Sequence, residues 1–167
     1  YGILGEECYG EAAKKSLQFI QTHLTYADGS LAVRYRDGEQ IGEGFLDDYA
    51  YLSWALLSLY ENTFQLTYLQ QAEKITQLMC QKFADEINGG FFFNEKDNHA
   101  LIYHPKEWYD GALPCGNSVA ALILVKLAHL TGKNQWQQWA DKQLQAAANQ
   151  QTSPLGRSFY LVALMQR

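Results

Sequence analysis

Four carboxylates sit where this chain could use them for chemistry. Asp47 and Asp48 open one apolar run, and Glu107 and Asp110 stand in the stretch EWYDGALPCGN that leads into a second. Paired acids suit proton transfer to and from hydroxyl-bearing substrates: an epimerase needs an acid and a base on opposite faces, and a glycosidase needs two carboxyls flanking the bond. Trp108 and Tyr109, between the acids, offer flat faces of the kind that cover the C–H side of a sugar, and Tyr51 and Asn117 add hydrogen-bonding groups. His104 lies just upstream, where it can pair with Glu107 or Asp48. The candidate catalytic residues are therefore Asp47, Asp48, Glu107 and Asp110. The candidate substrate contacts are Tyr51, His104, Trp108, Tyr109 and Asn117.

The same residues have an architectural reading. Helix N-termini expose unpaired N–H groups and partial positive charge, so Asp, Asn and Ser are favoured there as caps by about 0.5–2 kcal/mol each. On that reading they lock a long loop onto helix starts, and the concave surface holds a protein segment. Geometry separates the two: carboxylates lining an open cavity favour a ligand site, and carboxylates consumed by backbone N–H groups, Lys106 or Arg34 favour architecture.

The helices that position these groups are legible from period. Tyr9–Leu24 and Gln65–Phe83 carry apolar residues on one face, as does the segment from Gln135 to Ala148. Phe45–Tyr60 and the run from Ser118 to Leu130 are apolar nearly all round, as enclosed helices are, and another apolar helix begins at Ser158. Enclosed and one-sided helices alternate, which is the pattern of repeated helical hairpins curving into a solenoid or toroid. A toroid is favoured because the polar clusters all precede enclosed helices, placing them at one end of the ring. Between the helices, two Asp-Gly pairs bracket LAVRYR, predicting a short hairpin or an extended loop. Gly89-Gly90, three Phe residues, an Asp97-Asn98 turn and LIY predict a second hairpin within the connection from Ala84 to Cys115.

Composition narrows the classes. The chain has 167 residues, 47% of them hydrophobic and 14% aromatic, enough for one compact core and hence a single domain over 1–167. A net charge of -5 with no basic run predicts neither nucleic-acid nor membrane partners. No apolar stretch approaches the ~20 residues of a bilayer crossing and no leader pattern is visible, so a cytoplasmic location is expected. Cys8, Cys80 and Cys115 lack zinc spacing, and no His/Asp/Glu cluster has ligand spacing on one helical face; neither metal nor other cofactor is expected.

GFLDDYAYLSWALLSLYE and INGGFFFNEKDNHALIYHPKEWYDGALPCGNSVAALILVKLAHLTG closely resemble the C-terminal helical region of the thioredoxin-domain proteins related to the animal spermatogenesis-associated protein. HPKEWYDGALPCGNSVAA stands close to that family's RPKE-YDGA-PSGNSVAA pattern. The resemblance implies an all-α (α/α)6 toroid similar to N-acylglucosamine 2-epimerases and six-hairpin glycosidase-like enzymes, and with it a role in carbohydrate binding or modification. It also implies an N-terminal thioredoxin-like domain, so this chain, with about three hairpins, is expected to be a truncated member. Half a toroid would expose inner-helix flanks and self-associate. His104 replaces the family's Arg and Cys115 its Ser; a cysteine beside a helix start either packs or becomes an activated thiol.

Overall fold

The computed structural model describes residues 2–98, 100–150 and 153–167. The described residues form helix α1 (Glu7–His23), a hairpin of β1 (Ala32–Arg36) and β2 (Glu39–Glu43), then α2 (Leu46–Thr63), α3 (Leu66–Phe83), α4 (Gly116–Thr131), α5 (Asn134–Ala148) and α6 (Ser158–Met165). A single 3-10 turn, Pro154–Arg157, leads into α6.

Helices α2, α4 and α6 are the inner row: α4 packs against α2 on one side and α6 on the other, while α3 backs α2 and α5 backs α4. Burial follows the period of the sequence. Every residue of α4 from Gly116 to Val125 is buried, whereas α3 buries Leu69, Ala72, Thr76, Met79 and Phe83 and turns Gln70 and Lys74 to solvent. Each large aliphatic of α4 contributes about 1.5–3 kcal/mol by leaving water. Polar ties join neighbouring helices where apolar packing alone would leave donors unpaired. Thr76 donates to Ser53 at 3.2 Å inside the core, and Glu73 of α3 accepts from both Lys133 (2.5 Å) and the buried indole N–H of Trp136 (3.0 Å) of α5. One hydrophobic cluster runs through α2 to α6 and reaches α1 at Leu17.

The first predicted hairpin forms, with its turn at the second Asp-Gly pair. Asp37 (φ 53°) and Gly38 (φ 88°) both take the left-handed conformation that a two-residue turn requires, and Arg34 pairs with Ile41. The second does not form. Among the described residues, 84–115 contains only an isolated bridge, Ala84 with Phe91. The three Phe residues are spent separately: the Phe91 backbone pairs with the Asn117 side chain, Phe92 N–H donates to the Phe83 carbonyl, and the Phe93 ring stacks on Phe45 at 4.8 Å. LIY finds no strand partner, and Ile102 and Tyr103 face solvent. Among the described residues no helix is long and apolar enough to cross a membrane.

Candidate functional site

The N-termini of the three inner helices meet, and the segment 107–115 is what joins them. Asp110, only 7% exposed, accepts at one oxygen from the Cys115 N–H at the head of α4 (3.0 Å). Its other oxygen accepts from the Phe159 and Tyr160 N–H groups in the first turn of α6 (2.8 and 3.4 Å). The Tyr51 hydroxyl of α2 donates to the Pro114 carbonyl at 2.7 Å, bringing the third helix to the same segment. A carboxylate shared by two helix starts satisfies orphan donors and opposes both dipoles.

Asn117 is equally committed. It is 1% exposed; its Oδ1 accepts from Phe91 N–H (2.8 Å) and Gln143 (3.1 Å), and its Nδ2 donates to the Phe91 and Glu107 carbonyls (both 2.9 Å). Its amide thus reproduces a short piece of β ladder that holds the long loop on α4. The Trp108 ring packs against Gly90 (φ 77°), where a Cβ would come within 2.6 Å of it. Below it, Asp85 accepts from the Ile87 and Asn88 N–H groups, the Asn88 amide and Lys106 (2.6 Å), and Lys106 also caps the Gly89 carbonyl. Burial alone would raise the Asp85 pKa; Lys106 and the surrounding amides outweigh it and hold the carboxyl well below its usual range.

Asp47 and Asp48 behave differently from Asp110. Asp48 uses one oxygen to accept from the Phe45 N–H at 2.8 Å, a cap on α2. Asp47 turns Oδ1 toward the head of α4, where it is sealed from solvent beside the Gly116 amide without a well-formed hydrogen bond among the described residues. It presses so closely on Gly116 that a Cβ there would lie 2.3 Å away, which is why that helix begins with glycine. Burial raises the Asp47 pKa, the negative charges of Glu107 and Asp48 raise it further, and the nearby Gly116 amide opposes the rise. The pKa of Asp48 is also raised, by burial, against the Phe45 amide. Glu107 itself is exposed, and Asn117 holds its backbone.

Asp47, Asp48 and Tyr51 line a cleft of about 450 Å³ between α2, the end of α1 and β1, which Leu113 flanks. Of the other candidate contacts, Tyr109 is exposed and lies on Gly156 just before α6. Among the described residues His104 pairs with neither Glu107 nor Asp48: its Nδ1 is buried with no hydrogen-bond partner there, and its ring leans on Phe92. Cys115 is buried, bonded to Ser118 at 3.3 Å, and burial pushes its thiol up to about 11, the opposite of activation. The carboxylates therefore divide: Asp110 is consumed by backbone donors, and Asp47 stands at the cleft edge with its Oδ1 sealed against the head of α4. Two participants escaped the sequence: the aliphatic cleft wall, whose members are spread over α1, β1 and α2, and Gln143, which is 1% exposed and donates to the Asn117 carbonyl. Its place one turn after Ala140 on the inward face of α5 was the available signal.

No protein-family model matches the chain. Two solved structures share its fold. A glycoside hydrolase family 76 mannosidase from Bacteroides thetaiotaomicron superposes with a TM-score of 0.73, covering 98% of this chain and 48% of that one at 13% identity. A family 76 alpha-mannanase from the same organism gives 0.63, covering 86% and 38% at 19% identity. The fold is that of part of an all-α six-hairpin, glycosidase-like (α/α)6 toroid.

In sequence the chain is similar to a part of spermatogenesis-associated protein 20. It is 37% identical over 94 residues, 56% of its length, to the proteins of Rattus norvegicus and Homo sapiens. An uncharacterized protein of Caenorhabditis elegans is 30% identical over 174 residues and covers 98% of this chain. The chain spans 12% of the mammalian relatives and 23% of the nematode one.

Proposed function

We propose that the cleft at the head of α2 binds a hydroxyl-rich small molecule of the carbohydrate class, with Asp47 as the proton-holding group and Glu107 as the second carboxyl. The observation that carries this is the state of Asp47: partly buried at the edge of an open cleft, with burial and the Glu107 and Asp48 charges together raising its pKa against the Gly116 amide. Such an arrangement costs stability, and costs of this kind collect where a ligand or a reaction uses them. A carboxyl whose pKa is raised keeps its proton to higher pH, which suits a general acid protonating a leaving oxygen. The mannosidase and alpha-mannanase that share the fold support a carbohydrate ligand. Epimerase-type chemistry is less well served, because His104 does not join the carboxylates.

Asp110 and Asn117 favour the second, architectural reading for their half of the motif, since each is spent on backbone groups. A calorimetric or NMR screen of neutral mono- and disaccharides and their alkyl glycosides tests the ligand reading. Saturable binding by the wild type, lost in Asp47→Asn and Glu107→Gln with folding intact, is expected; a wild type that binds no sugar overturns it. We further propose that two copies associate through the exposed apolar faces of α6 (Leu161, Val162, Leu164, Met165) and α1. Sedimentation showing a monomer at high micromolar concentration would refute that.

A further inference from the structure

The cleft beside Asp47 is not built like a site for a bare, fully hydroxylated sugar. Its polar end holds Asp47 and Asp48, together with a Tyr51 hydroxyl already given to Pro114. Its remaining wall is aliphatic: Ile20, Leu24, Val33, Leu52, Ala55 and Leu113. Hydroxyls laid against that wall would lose their hydrogen bonds to water and gain none, at a net penalty for each. An apolar group in the same place would gain from burial.

Charge restricts the ligand as strongly as shape. Among the described residues no Lys or Arg lines the cleft, and the nearby Lys106 is held by Asp85 and the Gly89 carbonyl. Leu31, Ala32 and Val33 line the cleft, and Arg34, the next residue along β1, is exposed and does not line it. Asp47 and Asp48 line the cleft and Glu107 lies close enough to act on Asp47, whose pKa is raised first by burial and then by the Glu107 and Asp48 charges, so the surroundings are acidic whether or not Asp47 carries its proton. A phosphate or carboxylate on the ligand would meet repulsion with no lining cation to offset it.

We propose that the cleft takes a glycoside bearing an apolar substituent and no negative charge, its sugar at the Asp47 end and its substituent on the aliphatic wall. This rests on the carbohydrate reading of the site. The substituent occupies the space over Leu113 and Val33, whose side chains are 71% and 38% exposed and await a covering group.

The test is a protein-observed NMR titration of the full chain with methyl glucoside, hexyl glucoside, hexyl glucuronide and hexanol, each below its aggregation threshold. Hexyl glucoside should bind about tenfold or more tighter than methyl glucoside, a fraction of what five fully buried methylenes would yield. Hexyl glucuronide should bind about tenfold more weakly than hexyl glucoside at low salt, with the gap narrowing as salt screens the carboxylates. Leu113→Ser, an exposed loop position, should reduce the preference for hexyl over methyl. Equal binding of the two glucosides, or of glucoside and glucuronide, overturns the proposal and leaves the carbohydrate reading standing. Hexanol binding as tightly as hexyl glucoside overturns the carbohydrate reading, and no binding by any of the four overturns both.

Discussion

Replacing Asp110 isolates the joint on which the inner helices depend. Its carboxylate serves two helix starts through two short bonds, to Cys115 (3.0 Å) and Phe159 (2.8 Å), and a longer third to Tyr160 (3.4 Å). Loss of an N-terminal cap costs about 0.5–2 kcal/mol, toward the upper end when the cap is charged and the N–H groups stay buried. Asp110→Ala removes both caps and should cost about 2–4 kcal/mol, lowering the melting temperature of a domain this size by roughly 5–15 °C. Asp110→Asn keeps one acceptor but points an amide donor at the other helix start, so it should cost about half as much. Urea unfolding followed by circular dichroism gives both numbers. An Asp110→Ala protein within about 0.5 kcal/mol of wild type would show that the helix starts do not need the shared carboxylate.

Asp47→Asn should have the opposite sign: it removes a charge that the folded state holds at a cost, so stability near neutral pH should be unchanged or higher, read from the same urea curves. Gly116→Ala should destabilise by about 1–3 kcal/mol, since its methyl would meet Asp47 and Leu46, and thermal melts should show partial relief when it is combined with Asp47→Ala. Asp85 has a depressed folded pKa, so its contribution is present above the unfolded carboxyl pKa of about 3.9 and is lost as pH falls below it. Asp85→Asn should therefore be less stable at pH 6 and show a shallower acid decline between pH ~4 and ~2; an unchanged slope would contradict the bonding described. Iodoacetamide at pH 8 should modify the exposed Cys8 in the folded protein and spare Cys115 and Cys80, whose thiols burial pushes up to about 11 and about 12, as mass spectrometry can read.

The helices were legible because burial imposes period: the all-round apolar SVAALILVKLAHL became the enclosed α4, and the one-sided segment beginning at Gln65 became α3. The missed hairpin has a physical reason. Three consecutive Phe residues carry β propensity, but a strand needs a partner, and the partner here was the amide of Asn117, a side chain on α4 that no local pattern reveals. The site was half legible. Acids before apolar runs indicated helix starts at one end, and Asp47, Asp48 and Asp110 do gather there. Which acid would be consumed depended on Phe159, distant in sequence, and so could not be read from EWYDGALPCGN itself.

The most direct test of a working carboxylate pair at the helix starts is the pH titration of the Asp47 carboxyl carbon by NMR, in wild type and in Glu107→Gln. Asp47 should titrate above the ordinary aspartate value of about 3.9 and move down when the Glu107 charge is removed. An Asp47 that titrates at or below that value, and does not respond to Glu107, would contradict the account.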